Sequence, residues 1–336
     1  MIGIAISLAL ILLLLGALLW AGGGKTIHAT QGSGIIESIP DALEQAPLPS
    51  HTLIVLSYNL GYGLGGHHDA GRRLGAADIY DRLDHIIETI AASEADVTLL
   101  QEVDFASQRT HDIDQLHYIA AALGWGFAAR AMTWECRYLP YPVWPFGRPT
   151  GRLRAGMGVI SRFPLVQNTR QRLSQSRARP LLTPLFASYH TVQMVDVQCG
   201  SQMIRLLNAH LNGGEASTRL QQAQELVAFV QQVATSHSVL MGSFNAAVQT
   251  PDPTMDVVMD GLRDRFHIMA DEALTYPAMA PHSRLDHVFI ADGLQALSTR
   301  VMLPDTPVTE HLPLIMHLRW PLPMLTQEGG STHERL

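Results

Sequence analysis

"LMGSFNAAVQ", residues 240–249, decides how the rest of the chain is read. The apolar run Val239-Leu240-Met241 has the composition of a buried strand. It stops at Gly242 and hands over to Ser243, Phe244 and Asn245, a small polar turn. Ligands of α/β proteins gather outside strand ends. The question is whether other strands also stop on side chains able to do chemistry.

They do. Asn59 follows the β-branched run "TLIVLSY" (52–58), Glu102 follows "VTLLQ" (97–101), and His210 and Asn212 follow "MIRLLNA" (203–209). Asp286 lies at the start of "LDHVFI" (285–290), and Glu310-His311 precede "LPLIMHL" (312–318). Each has a dull explanation alone: Asn is a common turn former, and one histidine among sixteen is ordinarily structural or exposed. Six strand ends presenting a carboxylate, carboxamide or imidazole are harder to dismiss.

Together they suit one chemistry. A carboxylate and carboxamide oxygens match a hard cation, Mg²⁺ or alternatively Mn²⁺, that takes few protein ligands and keeps waters. Such an ion polarises a phosphoryl oxygen. Two imidazoles can donate to the phosphate or exchange protons near neutral pH. A carboxylate beside one of them, Glu310 or Asp286, would orient it. Neighbours in an extended chain face opposite sides, so Glu310 need not be that partner. The set points to metal-assisted attack of water on a phosphate ester.

Between the strands lie helical periods. Residues 81–96 put Leu83, Ile86, Ile87 and Ile90 on one face, and 112–124 do the same with Leu116, Ile119, Ala120 and Leu123, with Gly124 at the expected C-terminal stop. A helix is predicted near 219–235, with Thr218 and Gln221 spaced as a capping box. Strand pairs mixed with strand–helix–strand units predict one α/β domain on two sheets rather than a simple parallel sheet.

Residues 1–22 hold no charged side chain and reach the length of a bilayer-spanning helix. They lack the basic start of a signal peptide, so an uncleaved single-pass anchor is expected, with a cleaved signal as the alternative. Residues 23–50 read as a linker, 51–320 as the catalytic domain and 321–336 as a tail. The domain is expected on the extracytoplasmic side, as a monomer. The net charge of −7 argues against nucleic-acid binding through bulk electrostatics. Cys136 and Cys199 form neither a zinc pattern nor a disulfide framework.

The ordered set "SYNLGYG", "LLQEVD", "NAHLN", "MGSFNA", "SRLDHVFI" and "TEHLPL" resembles the endonuclease/exonuclease/phosphatase superfamily over roughly residues 52–320. The resemblance implies a four-layer α/β sandwich, two packed mixed β-sheets flanked by helices, with the site at one edge. It implies Glu102 as the Mg²⁺ carboxylate with Asn59 beside it, and His210 on the phosphate. Asn245 would hold the scissile phosphate or the attacking water, and Asp286 and His311 would complete the catalytic set.

Two motifs depart from the family. Its Ser-Asp-His-x-Pro reads Thr309-Glu310-His311-Leu312-Pro313 here, and its Gly-Asp-Phe-Asn reads Gly242-Ser243-Phe244-Asn245. A hydroxyl is no carboxylate base at neutral pH, and losing a positioned base costs about 10²–10⁴-fold. The chain has drifted to weak turnover or phosphate binding alone, or carries an inactivating replacement, or uses another carboxylate such as Asp252 or Asp256. For the substrate, residues 131–156 bring Trp134, Trp144, Tyr138, Tyr141 and Phe146 together with Arg137, Arg148, Arg152 and Arg154. That stretch reads as a surface loop or as a lip whose Arg152 and Arg154 meet a phosphorylated substrate or lipid headgroups, with Asn212 as a further substrate contact from elsewhere in the chain. A nuclease and a membrane-tethered phosphate-binding module without turnover are the rival readings.

Overall fold

The computed structural model describes residues 2–23, 29–39, 51–65, 74–139, 150–176, 186–248, 250–269 and 273–321. In chain order the elements are α1 (Ile2–Gly22), β1 (Gln31–Ser33), β2 (Ile35–Ser38), β3 (Thr52–Asn59), α2 (Ala76–Ala92), β4 (Val97–Asp104), α3 (Gln115–Ala122), β5 (Phe127–Leu139), β6 (Gly151–Ser161) and β7 (Leu165–Arg172). There follow β8 (Thr191–Cys199), β9 (Gln202–His210), α4 (Ala216–Val233), β10 (Ser238–Ser243), α5 (Thr254–Leu262), β11 (Phe266–Ile268), β12 (Asp286–Ala291), β13 (Gln295–Val301) and β14 (Leu314–Arg319).

The strands form two seven-stranded sheets, in the order β1-β7-β8-β9-β10-β12-β11 and β13-β14-β3-β4-β6-β5-β2. Their inner faces interdigitate. Leu53, Val55, Val97, Leu99 and Val159 of one sheet pack against Val195, Val197, Leu206, Met241 and Val288 of the other. The outer face of the second sheet is covered by α2 and α3 through Ile79, Leu83, Ile86, Leu116 and Ile119. The outer face of the first is covered by α4 and α5 through Leu226, Phe229, Met255 and Val258. These are the four layers expected. The pairs β3/β4 and β9/β10 are parallel, each joined through a helix, and the remaining pairings are antiparallel. All four of these parallel strands end on the same edge, which brings Asn59, Glu102, His210 and Ser243 together.

Some expectations need correction. The segment read as a linker contributes β1, which pairs with β7, and β2, which pairs with β5, so it joins both sheets. Strand addition uses main-chain hydrogen bonds and needs no apolar period, which is why the sequence pattern hid it. Glu37 of β2 is tied to Arg130 at 2.6 Å. The capping box fails as well: α4 starts at Ala216 after Glu215, and the Thr218 hydroxyl donates back to Glu215 from inside the first turn. Gly124, at φ +68°, does stand just past the end of α3. The expected anchor is helical as α1, yet among the described residues no helix is long and apolar enough to cross a membrane. The tail beyond Pro321, and Tyr141, Trp144, Phe146 and Arg148 of the aromatic stretch, lie outside the described residues.

Gly242 sets the approach of β10 to β9. Its φ is +145°, and a Cβ there would stand 2.0 Å from the Ala209 carbonyl oxygen. Backbone cannot yield as a flexible side chain does. Gly242→Ala should therefore destabilise the domain by about 1–3 kcal/mol or more, read as a lower urea midpoint. An unchanged midpoint would show that the two strands can separate without loss.

Candidate active site

Alternate residues of a strand face opposite sides, so Gln101 and Glu102 should diverge. They do not. The ladder between β4 and β6 shifts between Leu100 and Val103, and Glu102 has φ +54°. A bulge re-aims the side chain in this way. Glu102 thus turns toward the other sheet, where its Oε1 accepts from Asn59 Nδ2 at 3.2 Å and lies 3.4 Å from His210 Nε2. Burial alone would raise its pKa. The hydrogen bond and charge of His210, then Asn59 and His311, outweigh burial and hold it at about 2. Glu102 is a half-buried carboxylate that stays ionised.

The first sheet supplies a row of side chains. Ser243 pairs with Asp286 across β10/β12 and with His210 across β10/β9. Paired residues share a face, so Asp286, Ser243 and His210 stand side by side toward the second sheet. Asp286 Oδ2 meets His311 Nδ1 at 2.8 Å. Asp286, not Glu310, is therefore the imidazole's partner, while the Thr309 hydroxyl donates to the His311 carbonyl at 2.7 Å and holds the turn. Burial pushes the His311 pKa down. The charge and hydrogen bond of Asp286, followed by Glu102 and Glu310, more than offset this and leave it raised.

Ser243 is fully buried, and its hydroxyl has no hydrogen-bond partner among the described residues. It lies inside the row yet out of reach of solvent, so it can serve neither as base nor as direct substrate contact in this arrangement. Neither suggested stand-in replaces it. Asp252 accepts from Arg219 Nε at 2.9 Å and from Thr254 N at 3.0 Å at the start of α5, and Asp256 is exposed in the first turn of α5.

The remaining candidates divide. Asn245 takes a left-handed conformation (φ +53°) and donates from Nδ2 to the Leu211 carbonyl at 2.8 Å. Asn212 spends its Oδ1 on the backbone N–H groups of Gly214 and Glu215, at 2.8 and 2.7 Å, so it shapes the turn into α4. Arg152 is exposed and paired with Asp112 at 2.7 Å, and the Arg154 side chain is exposed. No contact of either with the cluster is found among the described residues.

Sequence reasoning missed several neighbours. Tyr276 places its ring 5.1 Å from that of His311, and His190 places its ring 5.3 Å from that of His210. Arg109, doubly bonded to buried Asp104, lies 4.0 Å from the Tyr62 ring and 5.0 Å from that of Trp134. Trp134 is thus packed inward, its indole N–H donating to the Phe186 carbonyl. Of these, Tyr62 lies within the quoted "SYNLGYG" and Trp134 within the aromatic stretch 131–156; Tyr276, His190 and Arg109 carried no signal. Cys136 and Cys199 are buried free thiols, pushed up to about 11 and about 12 by burial, so neither offers a thiolate.

For a metal, among the described residues no group of three or more His, Cys, Asp or Glu side chains is placed to hold an ion. The donor set fits a hard cation that keeps most of its waters. Glu102 is ionised, and no hydrogen bond to its Oε2 is found among the described residues. Asn59 turns its amide nitrogen to Glu102 and its oxygen to Gly61 N, at 3.0 Å. As placed, it orients the carboxylate.

Comparison with known proteins bears on the family and the fold. The Endonuclease/Exonuclease/phosphatase family profile matches residues 56–311. An endonuclease/exonuclease/phosphatase from Beutenbergia cavernae superposes with a TM-score of 0.59 at 20% identity, covering 81% of this chain and 72% of that one. A mannosyl-6-phosphatase from Bacteroides thetaiotaomicron gives 0.56 at 17% identity, with 80% and 100% covered. The human Nocturnin catalytic domain with bound sulfate gives 0.54 at 17%, with 86% and 97% covered. At such identities the likeness shows the fold. No curated protein matches.

The raised His311 pKa has a pH signature. The stability it contributes is complete below the ordinary histidine value of 6.5 and is lost as pH rises through the raised folded-state value. Asp286→Asn removes the largest raising cause. NMR titration should then find the His311 transition moved to lower pH, with that part of the stability lost earlier. An unmoved transition would exclude Asp286 as the cause.

Proposed function

The chain belongs to the endonuclease/exonuclease/phosphatase family, and from that premise we propose that it hydrolyses phosphate esters at the edge where Glu102, His210, Asp286 and His311 meet. The observation that carries this reading is the His311–Asp286 pair, buried and 2.8 Å apart, facing an ionised Glu102. Glu102, oriented by Asn59, would hold a divalent cation, Mg²⁺ or Mn²⁺. When bound, the cation supplies charge to offset what develops on the phosphoryl oxygens. His210 donates to the phosphate from beside Glu102. His311, whose imidazolium is stabilised by Asp286, donates from the other side, as a proton donor rather than a base near neutral pH. Asn245, held to the carbonyl of Leu211 next to His210, would position the phosphate or the attacking water.

The weak point is the base. With Ser243 buried and Asp252 committed to Arg219, no positioned carboxylate is found among the described residues to take the water's proton. We infer low turnover in the chain as it stands. An aspartate at 243 would be desolvated and adjacent to Asp286, and both effects raise a carboxylate pKa toward the range useful to a base. Ser243→Asp should raise hydrolysis of bis-(p-nitrophenyl) phosphate about ten- to a thousandfold. His311→Ala in that background should remove the gain, since both act on one transition state. A Ser243→Asp protein that folds and gains nothing would sink the assignment of this base position.

Cation binding gives a separate test. Glu102→Ala should abolish Mg²⁺ binding in calorimetry while leaving the thermal transition in place, and EDTA should suppress hydrolysis in the parent. Unchanged affinity in the variant removes Glu102 from the site.

Membrane association through α1 is part of the same proposal. Supporting it, α1 exposes Ile6, Leu10–Leu15, Leu19 and Trp20, and no charged residue precedes Lys25. A helix apolar on all sides is at home in a core or in lipid. Sedimentation of the full chain with vesicles, and of residues 29–336, which lack α1 but keep β1 and β2, without them, checks it; a full chain that stays in the supernatant overturns it.

A further inference from the structure

Beside His311 the structure opens a cavity of about 690 Å³ that the catalytic reading does not use. Tyr276, Thr309 and Glu310 form its inner end, so it begins where the active site stops. Its volume lies in the range of small-molecule sites, about 300–1,000 Å³. A second cavity of about 430 Å³ continues it along α2, the two sharing His85 and Thr306.

The lining selects among occupants. Pro277, Ala278, Met279 and Val308 give the inner cavity an apolar wall, and Met302 and Leu303 line the outer one. Met279 is 67% exposed and Leu303 72%, large apolar side chains facing solvent at the rim. Apolar surface of this kind marks a binding site when it adjoins functional groups, and an unbranched thioether adapts its shape to a flexible guest. A nucleobase would need a broad aromatic platform, and the one phenol or indole ring in the lining, Tyr276, packs on His311, leaving only the small imidazoles of His85 and His282. A polyphosphate backbone would need a basic track. Here the single arginine, Arg82, shares the wall with Asp81 and Glu310.

We propose that this groove binds the hydrocarbon chain of an amphipathic phosphoester, so that Met279 and Leu303 determine specificity for alkyl-bearing substrates. The proposal rests on the catalytic reading above, because the groove is useful only if the phosphate lies at His311.

The test compares methyl and octyl p-nitrophenyl phosphate on the full chain, both below micellar concentration. The octyl ester should show a KM lower on the order of ten- to a hundredfold at similar kcat, the gain from burying about two or three methylenes. Met279→Asp and Leu303→Asp, both at exposed positions, should return the octyl KM to the methyl value and leave methyl kinetics unchanged. Equal KM values in the parent, variants that change both substrates alike, or preference for a thymidine ester over the octyl ester would each overturn the proposal. Calorimetry with octyl phosphate separates the two readings. Binding weakened about tenfold by Met279→Asp supports the groove even without turnover, in which case only the catalytic reading fails. Binding indifferent to the substitution overturns the groove whatever the turnover.

Discussion

Beneath the catalytic edge buried hydrogen bonds tie the two sheets together, and the one next to the site runs from Gln101 Nε2 to Asn208 Oδ1 at 2.7 Å. Apolar packing alone sets the spacing of stacked sheets, not their sliding register. A directed bond between buried amides does set it, because leaving either group unpaired costs about 1–3 kcal/mol. Asn208 Nδ2 is satisfied in turn by the Leu100 carbonyl, and Gln101 Nε2 also reaches the Ser57 hydroxyl. Glu102 follows Gln101 directly, and His210 lies two residues beyond Asn208 on the same face of β9. Their 3.4 Å contact is inherited from that bridge.

The bulge at Glu102 adds the second condition. A regular strand would send Glu102 outward toward α2 and α3. The left-handed backbone at this one residue is unfavourable for a side chain with a Cβ. It persists because the ladder on both sides and the Asn59 and His210 contacts hold it, and such strain characteristically collects at functional sites. Asn245 takes the same backbone region at the end of β10. Two of the site's polar groups are therefore aimed by backbone exceptions rather than by strand alternation.

This explains what could be read from the chain alone. Apolar runs bounded by Asn59, Glu102, His210 and Asp286 were legible because the pattern that makes a buried strand also marks where it starts and stops. The four layers followed from mixing paired strands with strand–helix–strand units. The partner of His311 was not legible, since Asp286 and Glu310 were both close in the pattern and only the packing of β12 against the turn before β14 chooses between them. Nor was the fate of Asn212, whose oxygen is consumed by local backbone N–H groups. The strands β1 and β2 escaped because edge pairing leaves no apolar signature. The groove escaped for a similar reason: α2 and the segments around 276–282 and 302–310 meet only in the folded chain.

Ser243 ties these features to the electrostatics of the edge. With serine there, the row and its facing residues hold two carboxylates, Glu102 and Asp286, against two imidazoles, His210 and His311. His210 and His311 stabilise the charge on Glu102, and Asp286 stabilises the imidazolium of His311, so these charges support one another. An aspartate at 243 would add an anion with no cation left to match it, and a divalent ion would be the natural complement. The serine therefore removes a base and at the same time weakens the site's demand for a cation. The two losses share one cause, a missing buried charge, and the unpartnered hydroxyl of Ser243 marks where that charge would sit.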